Sequence, residues 1–354
     1  MGNRSHFPLI EITRGNTVES IHYGSVAIAF YGKKDGISIG GSRHPFFLRS
    51  SAKPFQALAF LERGGGNHFD FSPQEIAILC ASHSGTDSHV DVLSRLQRKI
   101  GITEDMLQCG VHPPYHDKTA QRMLINNEPL HQNRHDCSGK HTGMLAFAKM
   151  IGAPFETYLE RTHPVQEYIL NTFSEMCELP VDRIRLGVDG CSAPVFAIPL
   201  TNAATAYVKL CQPDNLPLER ANACKAITSA MTAHPDMVAG PNRFDTAAMK
   251  TAKGKIISKI GAEGYQGIGV MPGASKFFKG SIGITSKISD GDLTLRAGSI
   301  VSLVILKKLG IFSDQELTEL KDYYIRPIKN WRGTDIGEIR PTAEFLQALD
   351  NISL

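Results

Sequence analysis

The chain has 354 residues, 42% hydrophobic and 21% charged, the balance of an ordinary globular protein with enough length for one large core. A formal charge of +3 and the lack of a Lys/Arg block exclude the electrostatic footprint of a nucleic-acid or anionic-membrane binder. No run of about 18 apolar residues occurs, so no membrane span is expected.

The first residues lack an uninterrupted apolar stretch, and no secretory signal is expected. Seven cysteines, at 80, 109, 137, 177, 191, 211 and 224, are odd in number, widely spaced and free of CxxC pairs. That pattern argues for reduced thiols and a cytoplasmic setting rather than a disulfide framework.

In chain order, residues 18–23 and 25–30 are rich in β-branched and aromatic side chains and read as strands, broken into a meander by glycines. Ser51-Ala52-Lys53-Pro54 predicts a helix start near Ser51, because proline is tolerated in the first helical turn. Ser72-Pro73-Gln74-Glu75 is a capping box opening a helix to about Cys80. Further helices are expected from after Thr86 to Gly101, then over 143–150, 164–177, 203–210 and 217–233, with a short strand at 184–188. Strand patterning returns at 255–261, 267–271 and 281–285. An apolar helix is expected over 293–309, and a second capping box at Ser313 opens a helix to about Tyr324.

Strands at both ends around a helical middle predict an α+β fold, or a three-layer αβα sandwich, with one sheet closed by both chain ends. Such a sheet needs the whole chain, so a single domain over 1–354 is expected.

Chemistry concentrates in five segments. Ser50-x-x-Lys53 puts a hydroxyl at a helix start with an amine one turn along the same face, the layout of a Ser–Lys acyl-transfer pair. The competing reading makes Ser50 a helix cap and Lys53 a solvated first-turn residue. Cys80-Ala81-Ser82-His83-Ser84-Gly85 is a polar run after a capped helix. Lys259 interrupts an apolar strand before Gly-Ala-Glu-Gly, and its direction is left open. Arg134 to Gly143 collects Cys137, His141 and Lys140 with His135 and Asp136, and thiolate and imidazole suit Zn²⁺. Gly187-Val188-Asp189-Gly190-Cys191 ends a strand on a glycine-rich turn; a joint site with Cys137 is permitted by the sequence but not shown by it.

In order, Val18-Glu19-Ser20, Arg49-Ser50-Ser51-Ala52-Lys53-Pro54, Cys80-Ala81-Ser82-His83, Asp136-Cys137-Ser138-Gly139-Lys140-His141, Gly187-Val188-Asp189-Gly190-Cys191 and Lys259-Ile260-Gly261-Ala262-Glu263-Gly264 resemble the rhizobial-type (class 3, asparaginase II) L-asparaginases over nearly the whole chain. The resemblance implies a serine β-lactamase-like fold, a homodimer and hydrolysis of L-asparagine to L-aspartate and ammonia. It implies two Ser–Lys pairs, Ser50 with Lys53 and Ser82 with Lys259, and a zinc ion held by Cys137, Lys140 and Cys191, which is expected to position substrate rather than to generate hydroxide. Arg49, His83, Asp189 and His141 fall at positions that line the substrate or metal site. Two departures stand out: residues 243–259 contain no cysteine where some members carry one, and Gly85-Thr86-Asp87 does not match.

Chemically, Ser50 is expected to attack the side-chain amide, with Lys53 taking its proton and Ser82 and Lys259 serving the leaving ammonia. Burial and neighbouring cations are expected to lower a lysine pKa for that task. Asp189 is the candidate partner for the substrate ammonium. The alternatives are a glutaminase or other Ser–Lys amidohydrolase on the same fold, or a non-catalytic zinc- and amino-acid-binding protein.

Overall fold

The computed structural model describes residues 6–351. Strands β1 (Phe7–Arg14), β2 (Thr17–Phe30), β3 (Ile37–Ile39) and β4 (Pro45–Phe47) come first, β5 (Arg185–Val188) and β6 (Pro194–Pro199) lie mid-chain, and β7 (Ile256–Gly261), β8 (Tyr265–Val270), β9 (Ile282–Ile288), β10 (Arg326–Lys329) and β11 (Asp335–Pro341) follow. The chain forms two compact units. The first contains the residues up to Phe46, Ile198–Gln212 and those from Ala247 on; the second contains Phe47–Ala197 and Pro213–Thr246.

The first unit is built on an eight-stranded sheet of order β10-β11-β1-β2-β9-β8-β7, with β3 also paired to β2. As expected, strands from both chain ends interleave: β1 meets β11 at Ile10↔Pro341, and β2 meets β9 from Gly24↔Ile288 to Phe30↔Ile282. Thr285 Oγ1 donates to Leu200 O (2.8 Å) and Ser281 Oγ to Val208 O (2.9 Å), so one face of β9 lies under the helix Leu200–Cys211. Side chains of the opposite parity, Ile282 and Ile284 with Val270 and Ile268 beside them on β8, are buried as well. The helix Gly298–Lys308, packed against β1, β8, β9 and β11, covers that side. The class is α+β, and within this unit the layering is helix, sheet, helix.

Two expectations here need correction. Residues 18–23 and 25–30 form one long strand, because the two halves of β2 pair with different neighbours, β1 and then β3 and β9. The helix expected from 293 starts only at Gly298. Its first N–H groups are taken by the Asp292 carboxylate, which accepts from Arg296 N (2.8 Å), Ala297 N (3.1 Å) and Gly298 N (2.8 Å).

The second unit is mostly helical and packs around the helix Lys53–Leu61, all nine residues of which are buried. A helix that is apolar on every side belongs in a core. It lies against the helices Pro73–Leu79, Ser138–Ile151, Pro164–Cys177 and Leu218–Ala233. Phe55 meets Phe173 edge-on at 5.9 Å, and Phe173 stacks on Phe196 of β6 at 4.6 Å. The capping box at Ser72 forms as read, with Ser72 N donating to Glu75 Oε2 (2.7 Å) and Glu75 N to Ser72 Oγ (3.3 Å). Among the described residues no helix is long and apolar enough to cross a membrane.

One close approach positions everything that follows. The first turn of the helix Ser138–Ile151 crosses the end of the helix Pro73–Leu79 so tightly that a Cβ on Gly139 would sit 2.0 Å from Ile78 O. Cys137 to Lys140 are thereby pressed beside Cys80 to Ser82. Gly139→Ala would gain about 1 kcal/mol in helix propensity but forces a backbone clash of roughly 1–3 kcal/mol or more. Net destabilisation is expected, read as a lowered urea midpoint; a raised midpoint would contradict this crossing.

Candidate active site

The helix that carries Lys53 begins at Lys53 itself, after a 3₁₀ turn over Arg49–Ala52. Ala52 occupies the N-cap position and no side chain caps it, so Ser50 is not the helix cap. Its hydroxyl stays available on a half-exposed residue. Arg49 has φ +52°, a left-handed conformation that is strained for a bulky side chain and that collects at functional sites. Its Nε donates to Asp189 Oδ1 at 2.6 Å. Asp189 sits in the tight turn between β5 and β6, where Ser192 N returns to Asp189 O (2.9 Å) and Asp189 N donates to Ala193 O (2.9 Å). The same turn carries Cys191.

Lys53 is 1% exposed. Its Nζ donates to Ser82 Oγ (2.9 Å) and Ala81 O (2.7 Å), and lies 3.6 Å from Asp136 Oδ2 and 3.4 Å from Asp136 O. The serine that the lysine touches is therefore Ser82, 29 residues away in sequence, rather than its motif partner Ser50. Burial alone would lower the Lys53 pKa, but Cys137 and Asp136 outweigh it and the net direction is upward. The expectation that crowding by cations would lower it fails because the upward influence of Cys137 and Asp136 exceeds the downward influence of Lys140. Asp136, opposed by its own burial, is held well below the usual carboxylate range by Lys53, His112 and His135.

Lys140, Cys137, Cys191 and His141 form a second buried group. Lys140 Nζ donates to Cys191 Sγ at 2.9 Å. Cys137 hydrogen-bonds to Cys191, which pushes the Cys137 thiol up and, with Lys140 and His141 and against burial, pulls Cys191 down to the thiolate. Lys140 is raised despite burial, first by Cys191 and then by Cys137. Burial lowers His141 to about 4. Its Nδ1 meets Tyr158 Oη at 2.6 Å, while its Nε2 is buried and, among the described residues, has no partner in hydrogen-bond geometry. Two thiols, an amine and an orphaned buried imidazole nitrogen are a donor set that suits a borderline-soft divalent ion.

His112, His135 and Asp136 also approach one another, with ligand atoms within 4.8 Å. Their lone pairs are already used: Asp136 N donates to His112 Nε2 (3.1 Å) and Cys137 N to His135 Nδ1 (3.0 Å). They form a hydrogen-bonded cage around Asp136. His83, expected to line the substrate site, is fully buried with both ring nitrogens occupied. Nδ1 accepts from Gly85 N (3.1 Å), so Nε2 donates to Ser138 Oγ (2.8 Å), whose own proton goes to Asn133 O (3.3 Å). His83 thus ties the Ser82 segment to the start of the helix bearing Lys140. Lys259 lies in the first unit, on β7 opposite Gly267, fully buried with Nζ donating to Ile260 O at 2.9 Å.

Of the expected residues, the second unit holds Arg49 with Asp189, Lys53 with Ser82, and Cys137, Lys140, His141 and Cys191 together. Asp136 and His112 were not singled out from the sequence. Only Asp136 left a signal, as an acid beside Cys137 in the motif.

A sequence profile of the L-asparaginase II family matches residues 10–341. The chain belongs to this family. That makes it an amidohydrolase acting on a small molecule. No curated protein matches. Among solved structures it is similar to the covalent complex of Bacillus subtilis glutaminase YbgJ with 5-oxo-L-norleucine, at 14% identity over 82% of this chain and 89% of that one, TM-score 0.38. It is also similar to a β-lactamase from Burkholderia ambifaria, at 14% identity over 80% and 91% of the two chains, TM-score 0.38.

The stacked pair His83 and His89 (4.8 Å between rings) makes stability depend on pH. Burial lowers His83 well below its ordinary value and His89 to about 4 from 6.5. The unfolded chain takes up protons near 6.5 that the folded one refuses until pH approaches 4. Stability is full above the higher value and is lost as pH falls toward the lower. A urea midpoint clearly lower at about pH 5 than at about pH 7.5 is expected; equal midpoints would mean these rings are not buried in neutral form.

Proposed function

We propose that the protein hydrolyses the side-chain amide of L-asparagine to L-aspartate and ammonia through an acyl-enzyme on Ser50. The observation that carries this reading is the buried Lys53 holding Ser82 Oγ at 2.9 Å while the nearby Ser50 hydroxyl is left uncapped and half-exposed. With Lys53 in its neutral form, Ser50 Oγ attacks the carboxamide carbon, and its proton passes to Ser82 as Ser82 gives its own proton to the Lys53 amine. The same route in reverse delivers a proton to the departing ammonia. Water then cleaves the ester, and the proton chain resets. Asp189, steadied by Arg49, receives the substrate ammonium. Lys259 belongs to the proposed catalytic set on its motif.

We also propose that Cys137, Cys191 and Lys140 hold a zinc ion, with His141 beside it. Bound there, Zn²⁺ would cancel the thiolate field that keeps Lys53 protonated and so favour the basic form of Lys53.

Ammonia release from asparagine, with glutamine measured in parallel, tests the reaction. Ser50→Ala is expected to lower kcat by roughly 10⁴-fold or more, and Ser82→Ala or Lys53→Ala by about 10²–10⁴-fold. An electrophilic asparagine analogue should label Ser50 by mass mapping; a label on Ser82 would reverse the two serines. For the metal, about one zinc per chain is expected by elemental analysis, lost when Cys137 and Cys191 are both changed to serine. Zinc retained by that double variant would place it elsewhere.

A further inference from the structure

Resting on the asparaginase reading above, we propose that Arg243 is the anchor for the substrate's α-carboxylate, presented by Tyr115.

An amino-acid substrate brings one ammonium and one carboxylate, and the site must answer each with an opposite charge. The Arg49–Asp189 pair is already closed at 2.6 Å, so Arg49 is largely spent on holding the acid that meets the ammonium. Other buried or half-buried cations of this unit are engaged likewise: Arg134 with Asp87, Lys53 with Asp136, Lys140 with Cys191 and Arg220 with Glu62 and Glu175. Arg243 differs. It is half-buried, and among the described residues it makes no ion pair; its guanidinium faces the Tyr115 ring at 5.7 Å. Guanidinium is the side chain best fitted to grip a carboxylate through two parallel hydrogen bonds.

Its position is built, not incidental. The segment before it runs along the Ser82 loop: Ser82 N donates to Val238 O (2.9 Å) and Ser84 Oγ to Ala239 O (2.7 Å). Gly240 has φ +103°, and a Cβ there would lie 2.7 Å from Ser84 Oγ, so only glycine lets the chain pass and turn. Asn242 follows at φ +55° and delivers Arg243. From there a continuous series of contacts leads to the reacting groups. Tyr115, 57% exposed, lies 4.8 Å from the His112 ring; His112 Nε2 is 3.4 Å from Asp136 Oδ1; Asp136 Oδ2 is 3.6 Å from Lys53; and Lys53 is 2.9 Å from Ser82. The Tyr115 phenol, raised first by partial desolvation, also feels Asp136 and Cys137 against Arg243 and Lys53, as expected for a ring at the rim of the same centre.

Two truncated substrates separate the roles. Succinamate is asparagine without its ammonium, and β-alaninamide is asparagine without its carboxylate. Calorimetric binding of each to the full chain and to Arg243→Ala reads the anchor without requiring turnover. Arg243→Ala should weaken succinamate by roughly 10- to 100-fold and leave β-alaninamide unchanged. Arg243→Lys should recover part of the loss, because charge returns without the fork. The ratio between the two ligands within one variant cancels any misfolded fraction. Equal weakening of both ligands would make Arg243 structural and overturn the proposal, as would a selective loss of succinamate in Arg49→Ala with none in Arg243→Ala. Ammonia release by the unaltered protein is scored separately, so failure of the asparaginase reading and failure of the carboxylate anchor give different results.

Discussion

The second unit is organised around one buried ammonium. Lys53 lies on a helix that is otherwise apolar on every face and sits at the centre of the helical unit. Leaving that charge unpaired would cost several kcal/mol, so the surroundings must supply acceptors. They come from two distant segments: Ser82 Oγ and Ala81 O from the loop after the helix Pro73–Leu79, and the carboxylate and carbonyl of Asp136 from the turn before the helix Ser138–Ile151. Asp136 in turn is fixed by His112 and His135, and the Ser82 loop by His83 and Val238 O. Each support is a hydrogen bond between elements whose packing sets the geometry.

The charges in this interior nearly balance. Lys53 and Lys140 are cationic, Asp136 and Cys191 anionic, Cys137 keeps its proton, and His83 and His141 are neutral. A buried cluster is tolerable only when paired in this way. The same balance makes the basicity of Lys53 depend on its neighbours: whatever neutralises the Cys191 thiolate removes one of the influences that keep the amine protonated. An amine held as its ammonium form by nearby anions is a plain consequence of charges packed this closely in a dry interior.

Much of the local architecture was legible in the sequence because its causes are local. The capping boxes at Ser72 and Ser313 each close within four residues, and both helices start where read. Proline at the first helical position and glycine after the last marked further ends, as at Pro164 and Gly101. Where a boundary depended on a side chain folding back, as with Asp292 at the helix Gly298–Lys308, apolar periodicity alone misplaced it. The hairpin of β10 and β11 and the closing helix Ala343–Asp350 went unread because short half-exposed segments carry weak patterns.

By itself the sequence determined the family and the inventory of reactive groups, since ordered motifs survive any uncertainty about folding geometry. It also determined that Lys53 would be carried on a helix beginning beside Ser50. Tertiary structure alone decided which serine that lysine touches, that Ser50 caps nothing, and that His83 spends both nitrogens on structure. Those outcomes turn on how closely two helices cross at Gly139 and on which carbonyls and carboxylates then come within hydrogen-bond reach of one buried amine. Distances of that kind are set by packing between segments thirty to eighty residues apart, and no spacing along the chain encodes them. The Ser-x-x-Lys spacing pointed to the right amine; the fold gave it a different hydroxyl.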